Sequence, residues 1–251
     1  MNNGCISTER ILSKLDEYLH RNDYASAERH LLYWLSEADR GKDARTELLV
    51  RNELMGIYRK NGREKEAIGA ADAAVEKIRA LDISHQVGAA TTFLNAATVY
   101  KAFGRAERAI GLFEEARRVY ESELPSGDER LGGLYNNMAL ALVDLGRFSE
   151  ADELYKRAVS VMEGIDGGDL EVAITYLNMA SAAEAELGLE NADGIISEYV
   201  EKAEALLESH ENRDGYYAFV CEKCAGVFGY YGYFVYEKEL SERARRIYEG
   251  N

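Results

Sequence analysis

Four glycines recur at a constant interval in this chain: Gly62, Gly104, Gly146 and Gly188 are each 42 residues apart. Self-similarity at one fixed spacing is typical of a repeat protein, in which each unit buries its apolar face only against its neighbours. Such a core is linear, so the 251 residues need not divide into conventional globular domains. The interval therefore predicts a solenoid that forms one repeat domain over residues 1–251.

Residues at fixed offsets from each glycine define the unit. Apolar residues three and four apart on both sides of the glycine predict two amphipathic helices, and the glycine permits the left-handed turn between them. Pro125 is the one proline in the chain, which favours uninterrupted helices. Alanines stand five and twelve residues after the glycine, at Ala67, Ala74, Ala109, Ala116, Ala151 and Ala158.

The pattern predicts an all-α fold, a right-handed α-solenoid of about six antiparallel helix hairpins. The hairpins are expected over about 8–40, 45–81, 87–124, 129–164, 171–210 and 216–249, with Asn22 in place of the first turn glycine and Gly232 at the last turn. The fifth hairpin holds about four extra residues near 188–193. We expect them to lengthen its loop, because added loop length costs little entropy.

This arrangement resembles the tetratricopeptide repeat (TPR) family. The segments that carry the resemblance are LNAATVYKAFGRAERAIGLFEEA at 94–116 and NNMALALVDLGRFSEADELYKRA at 136–158. The 42-residue interval exceeds the usual repeat of about 34 residues. It is similar to the longer variant of kinesin light chains and of many bacterial regulators.

In stacked hairpins of this kind we expect the first helices to line a concave groove. Asparagine stands about nine residues before the glycine in several units, and its amide can pair with the backbone of an extended peptide. The resemblance implies the same role, since asparagine at this place contacts peptide in several TPR domains. The expected groove residues are Asn52, Arg59, Asn95, Thr98, Lys101, Asn137, Leu140, Asn178, Ser181 and Glu184. The alternative for these asparagines is hydrogen bonding within the hairpins.

The carboxylate clamp of chaperone-binding TPR domains is not expected in this chain. Leu12 and Asp16 stand at the corresponding first-unit places, and Glu53 replaces an asparagine. The two carboxylates would repel a carboxylate ligand.

Acidic side chains outnumber basic ones by 45 to 30, which gives a formal charge of −15. A negative chain disfavours nucleic acid and anionic membrane surfaces as partners. The 14 acidic and two basic residues between Glu163 and Asp214 would steer a basic protein or peptide toward that half of the chain. Solubility alone is the other reading of this charge.

Nine aromatic residues lie between Tyr216 and Tyr236. Such residues are enriched at interfaces, so the last hairpin is a candidate surface for self-association, for example as a homodimer. The alternative is that the rings pack between the fifth and sixth hairpins. The candidate self-association residues are Tyr230, Tyr231, Tyr233, Phe234 and Tyr236.

The residues offer little chemistry for catalysis. Cys5, Cys221 and Cys224 are an odd number of cysteines with no disulfide framework, which fits a reducing, cytoplasmic compartment. Cys221 and Cys224 form a Cys-x-x-Cys without a second pair of ligands, so packing is favoured over a zinc or redox site. We expect no enzyme activity, metal or cofactor.

The sequence thus predicts a cytoplasmic interaction module that binds an extended peptide or a partner helix in its groove. Two alternatives are a structural subunit that self-associates through its aromatic end and a regulatory sensor that responds to a peptide.

Overall fold

A computed structural model describes residues 7–250, and within this range the chain forms twelve α-helices and no β-strand. The prediction of an all-α repeat with about six antiparallel hairpins is confirmed. The helices are α1 (Thr8–Leu19), α2 (Tyr24–Gly41), α3 (Ala44–Lys60), α4 (Glu64–Ala80), α5 (Val87–Ala102), α6 (Ala106–Glu123), α7 (Glu129–Asp144), α8 (Phe148–Met162), α9 (Asp169–Leu187), α10 (Leu189–Ser209), α11 (Gly215–Tyr230) and α12 (Phe234–Glu249).

The helix boundaries follow from local chemistry. Asp43 caps α3 by accepting a hydrogen bond from the backbone N–H of Thr46, and Asp214 caps α11 through two backbone N–H groups. At the turns the backbone is left-handed, with φ of 67° at Gly62 and 54° at Asn22. Glycine adopts this conformation without strain, and asparagine tolerates it better than other residues. This is why Asn22 can replace glycine in the first hairpin.

The chain divides into two compact units, of which the first ends at Glu123 and the second begins at Leu124. In the first unit, the two helices of each hairpin pack together, α2 packs on α3, and α5 packs on both α3 and α4. Its core combines aromatic rings such as Phe93 and Phe113 with alanines at which helices approach closely.

The second unit contains α7–α12, in which α9 is central and packs against α7, α8, α10 and α11. Leu177, Val200 and Phe228 lie in its continuous hydrophobic core. The repeat alanines identified from the sequence are fully buried in both units: Ala67, Ala74, Ala109, Ala116, Ala151 and Ala158. The absence of a larger side chain allows the close helix approach that the pattern predicted.

The fifth hairpin differs from the expectation drawn from its length. Gly188 alone separates α9 from α10, so the prediction of a lengthened loop is wrong. The extra residues instead extend the helices, which have 19 and 21 residues, compared with 16 and 18 in the third hairpin. Adding helical residues satisfies the backbone groups that a longer loop would expose.

A recurring set of side chains ties neighbouring hairpins of the first unit together. The hydroxyl of Tyr58 donates to Glu28, and the guanidinium of Arg63 lies over the Tyr58 ring and also pairs with Glu28. Tyr100 donates to Asp72 in the same way, beneath Arg108. Each set joins the first helix of one hairpin to the second helix of the preceding one.

Candidate functional site

In the first unit, two predicted groove residues are hydrogen bonded to each other. The amide nitrogen of Asn95 on α5 donates to the amide oxygen of Asn52 on α3, at 3.0 Å. Asn52 in turn donates to the backbone oxygen of Leu48 and to the hydroxyl of Thr92. Asn52 therefore holds α3 and α5 in register, while Asn95 lies at the outer end of the network.

This amide pair lines a cavity of about 600 Å³ between the first helices α3 and α5. Its walls combine apolar side chains, such as Leu48, Leu49 and Ile83, with polar ones. Pockets of this mixed character suit a ligand that is held by a few polar contacts in an apolar setting.

Glu53 adds a negative charge to the same cavity. Burial, and secondly the charge of Asp16, raises the pKa of its carboxyl. Among residues 7–250 no side chain forms an ion pair with this carboxyl, and a raised pKa favours its neutral form.

The other three groove residues of the first unit lie closer to the ends of their helices. Thr98 donates to the backbone oxygen of Leu94 and is half-buried. Arg59 is exposed in the last turn of α3, and Lys101 is half-buried in the last turn of α5. They do not line the cavity that Asn52 and Asn95 share.

The second unit contains an equivalent pair of asparagine amides, and one of the two residues, Asn136, was not predicted from the sequence. The amide of Asn178 on α9 donates to the amide oxygen of Asn136 on α7, at 3.0 Å. Asn137, the predicted residue, donates to the backbone oxygen of Gly133. Asn136 precedes Asn178 by 42 residues, the repeat interval, and this spacing could have identified it.

A cavity of about 630 Å³ lies against this second amide pair. It contains Asn137, Leu140 and Asn178, so three of the predicted residues share one site. Two basic side chains, Arg130 and Lys223, line it together with four acidic ones: Glu129, Asp166, Glu171 and Asp214.

Ser181 and Glu184 lie further along α9 and contact the aromatic end instead. Glu184 accepts hydrogen bonds from the hydroxyls of Tyr230 and Tyr231, at 2.6 and 2.8 Å. The Tyr231 hydroxyl is also 3.4 Å from that of Ser181. The structure therefore joins two residues predicted for the groove to two predicted for self-association.

The nine aromatic residues of the last hairpin separate into buried and exposed groups. Tyr217, Phe228 and Tyr236 are buried in the core of the second unit. Tyr236 donates to Glu208 and stacks edge-on against Phe228, so it belongs to no exposed surface; this corrects its place among the candidate self-association residues. Tyr233 is half-buried against Phe228, and Tyr231 is half-buried. Tyr216, Phe219, Tyr230 and Phe234 are exposed.

Cys221 and Cys224 are free thiols buried on α11. Burial raises the pKa of both, that of Cys224 to about 12, so neither thiol ionises readily. Within the described residues no group of histidine, cysteine or acidic side chains has the arrangement of a metal site. The packing interpretation of the Cys-x-x-Cys is therefore favoured, and Cys5 lies outside the described residues.

A third cavity, of about 1140 Å³, lies beside the start of α9 and the end of α10. His210 lines this cavity, and its Nδ1 lies 2.8 Å from Oδ2 of Asp169. The ring of His210 stacks on that of Tyr217. These contacts tie α9, α10 and α11 together at the edge opposite the Gly188 turn.

None of the helices between residues 7 and 250 combines the length and the apolar character needed to span a bilayer.

Models of the tetratricopeptide repeat match residues 47–122 and 132–164 of this chain. The curated protein KINESIN LIGHT CHAIN-RELATED 1 of Arabidopsis thaliana is 27% identical over 143 residues, which are 55% of this chain. The match spans 23% of the length of that relative.

Solved structures show the same fold. BtubC (BKLC) from P. vanneervenii superposes with a TM-score of 0.67 at 20% identity, over 81% of this chain and 82% of that one. A Rap protein complexed with Competence and Sporulation Factor superposes with a TM-score of 0.61 at 15% identity, over 96% of this chain and 63% of that one. Residues 47–122 and 132–164 are therefore tetratricopeptide repeats, and the long repeats of this chain are similar to those of kinesin light chains.

Proposed function

We propose that this protein is an interaction module that binds an extended peptide of a partner protein along the first helices of its hairpins. Tetratricopeptide repeats generally mediate protein–protein interactions, and the family is typically non-enzymatic. The Rap protein that shares the fold is complexed with Competence and Sporulation Factor.

The observation that carries the proposal is the repeated amide pair beside a cavity. Asn95 donates one amide N–H to Asn52. Asn178 likewise donates one amide N–H to Asn136. An asparagine amide has a second N–H and a carbonyl oxygen with two lone pairs. The remaining N–H and the carbonyl oxygen of Asn95 and Asn178 can therefore pair with the backbone of a bound peptide. Such backbone pairing does not require one particular peptide sequence.

Charge favours a basic partner. The second unit contains 25 acidic and 11 basic residues, a net charge of −14, whereas the first unit contains 20 and 19, a net charge of −1. A negative field of this kind speeds the encounter with a basic peptide and rejects an acidic one. Binding should therefore weaken as the salt concentration rises.

The free thiols of Cys221 and Cys224 support a reducing compartment, and we propose a cytoplasmic location.

The test begins with a displayed library of random 12-residue peptides selected on the full chain. Binding of the selected peptides is then measured by fluorescence anisotropy for the wild type and for the variant Asn95→Ala/Asn137→Ala/Asn178→Ala. We expect binding to weaken by at least about tenfold, because the variant removes hydrogen bonds that contribute about 0.5–1.5 kcal/mol each.

The matched control is Asn61→Ala. Like Asn137, Asn61 donates to the backbone oxygen of the residue four positions before it. Asn61 lies at the end of α3 and lines neither cavity. Its variant should bind as the wild type does. Unchanged binding by the triple variant, with an unchanged helical circular dichroism spectrum, would overturn the proposal.

A further inference from the structure

Helices α9 and α11 run side by side in the same direction, and two tyrosine–glutamate contacts fix their register. Near the helix starts, Tyr216 donates to Glu171. Near the helix ends, Tyr230 donates to Glu184 at 2.6 Å. The turns that follow these helices, at Gly188 and Gly232, therefore lie next to each other at one edge of the second unit.

This edge exposes large apolar side chains. Leu187 and Leu189 flank the Gly188 turn and are 41% and 53% exposed. Tyr230, Phe234 and Val235 surround the Gly232 turn and are 68%, 63% and 82% exposed. We call these five residues the turn surface.

The corresponding turns of the first unit expose no large apolar side chain. Its exposed large apolar residues, Leu32, Tyr33 and Leu81, lie within α2 or at the end of α4. The turn after α3 is flanked instead by Lys60, which is exposed, and by Arg63, which is half-buried. The same repeat position is thus compatible with charged residues, so the fold itself does not require apolar ones. An exposed apolar cluster that folding does not need points to an interaction.

The length of the fifth hairpin extends this surface outward. Leu187 lies three residues beyond Glu184 on α9, which places it on the same helix face and nearly one turn further along. Helices α9 and α10 are the longest in the described part of the chain, at 19 and 21 residues. The extra residues therefore bring Leu187 and Leu189 past the level of the Tyr230 contact.

Negative charge flanks the Gly188 side of the turn surface, whereas Lys238 is exposed on the Gly232 side. Glu186, Glu190 and Asp193 are exposed close to the Gly188 turn, and the chain has no lysine or arginine between Arg157 and Lys202. The partner that complements this arrangement presents apolar side chains flanked by lysine or arginine. An amphipathic helix with a basic polar face has that form.

We propose that the turn surface is a second docking site, separate from the first-helix cavities, for a basic amphipathic helix of another protein. The leucines and aromatic rings contact the apolar face of that helix, and the carboxylates near the Gly188 turn pair with its basic residues. This site can be occupied while a peptide lies along the first helices.

The test uses an 18-residue fluorescent peptide of leucine and lysine, with the leucines on one helical face, and the full chain. We expect saturable binding that weakens by about tenfold or more in Leu187→Ser/Leu189→Ser, because these side chains lie at the centre of the contact. The control variant Leu32→Ser/Tyr33→Ser removes a similarly exposed apolar pair from the first unit and should bind as the wild type does. A peptide with glutamate in place of lysine should not bind.

Three outcomes would overturn the proposal. Equal weakening in both variants, or none in Leu187→Ser/Leu189→Ser, means that the peptide recognises general negative charge. Loss of binding in Asn95→Ala/Asn137→Ala/Asn178→Ala means that it occupies the first-helix cavities. A dimer in sedimentation velocity that dissociates in Leu187→Ser/Leu189→Ser means that a second copy of this chain covers the surface.

Discussion

The hydroxyl of Tyr231 at the end of α11 donates a 2.8 Å hydrogen bond to Glu184 near the end of α9. The same carboxylate accepts a second bond from Tyr230. One glutamate thus joins α9 to α11, which are the first helices of the fifth and sixth hairpins, at the edge where both helices end.

Replacing this glutamate should loosen the last hairpin. In Glu184→Ala the half-buried Tyr231 hydroxyl loses its charged acceptor, and we expect the free energy of unfolding to fall by about 1–2 kcal/mol. Chemical denaturation followed by circular dichroism measures the change. Glu186→Ala, which alters an exposed residue on the same helix, should stay within about 0.5 kcal/mol of the wild type. Equal effects of the two variants would show that the contact with Tyr231 is not stabilising.

Alkaline pH should destabilise the fold. Burial raises the pKa of Tyr58 and of Tyr231 to about 12, from 10 for an unperturbed tyrosine. Between these values the unfolded chain releases protons that the folded chain retains, so the free energy of unfolding decreases as pH rises. We expect this loss between about pH 10 and 12. Ultraviolet titration of the phenols together with urea melts tests it, and a constant unfolding free energy over that range would contradict it.

Adjacent glycines in α7 should respond in opposite directions to alanine. A Cβ at Gly132 would lie 2.5 Å from the sulfur of Met162, whereas one at Gly133 would meet nothing within 4 Å. Alanine loses less backbone entropy than glycine in a helix, so Gly133→Ala should stabilise by about 0.5–1 kcal/mol. Gly132→Ala should destabilise because Met162 must move. Thermal melts of both variants measure the difference, and the same sign for both would be against it.

Gly168→Ala should be more damaging than Gly132→Ala. A Cβ there would clash with the backbone oxygen of Met162, which cannot rotate away as a side chain can. We expect a lower melting temperature than for Gly132→Ala, measured under the same conditions. A melting temperature equal to that of the wild type would mean that the connection between α8 and α9 adjusts freely.

Cys221 and Cys224 should resist thiol reagents in the folded protein. Both are buried, and burial raises their pKa, so the reactive thiolate is scarce at pH 8. In a Cys5→Ser variant we expect negligible reaction with a colorimetric disulfide reagent before unfolding and two thiols per chain after it. Rapid reaction of the native variant would show that α11 opens readily.

Much of the fold could be read from the chain because it is encoded locally. The glycine interval, the alanines at fixed offsets and the 3.6-residue apolar period predicted six hairpins, and the backbone at Gly62 and Asn22 is left-handed, which those residue types permit. The offset also placed Asn95, Asn137 and Asn178 on first helices, where they line cavities, and their role in binding stays a prediction.

Tertiary structure decided what those side chains contact. Asn136 pairs with Asn178, and Asn95 with Asn52, because packing of neighbouring first helices sets distances that one helix cannot specify. Packing also buried Tyr236 and left Phe234 exposed, although the two are neighbours in one aromatic run. The extra residues of the fifth hairpin became helix because backbone hydrogen bonds favour continuing α9 and α10 over a longer loop, and this choice brought Leu187 and Leu189 to the edge of the unit.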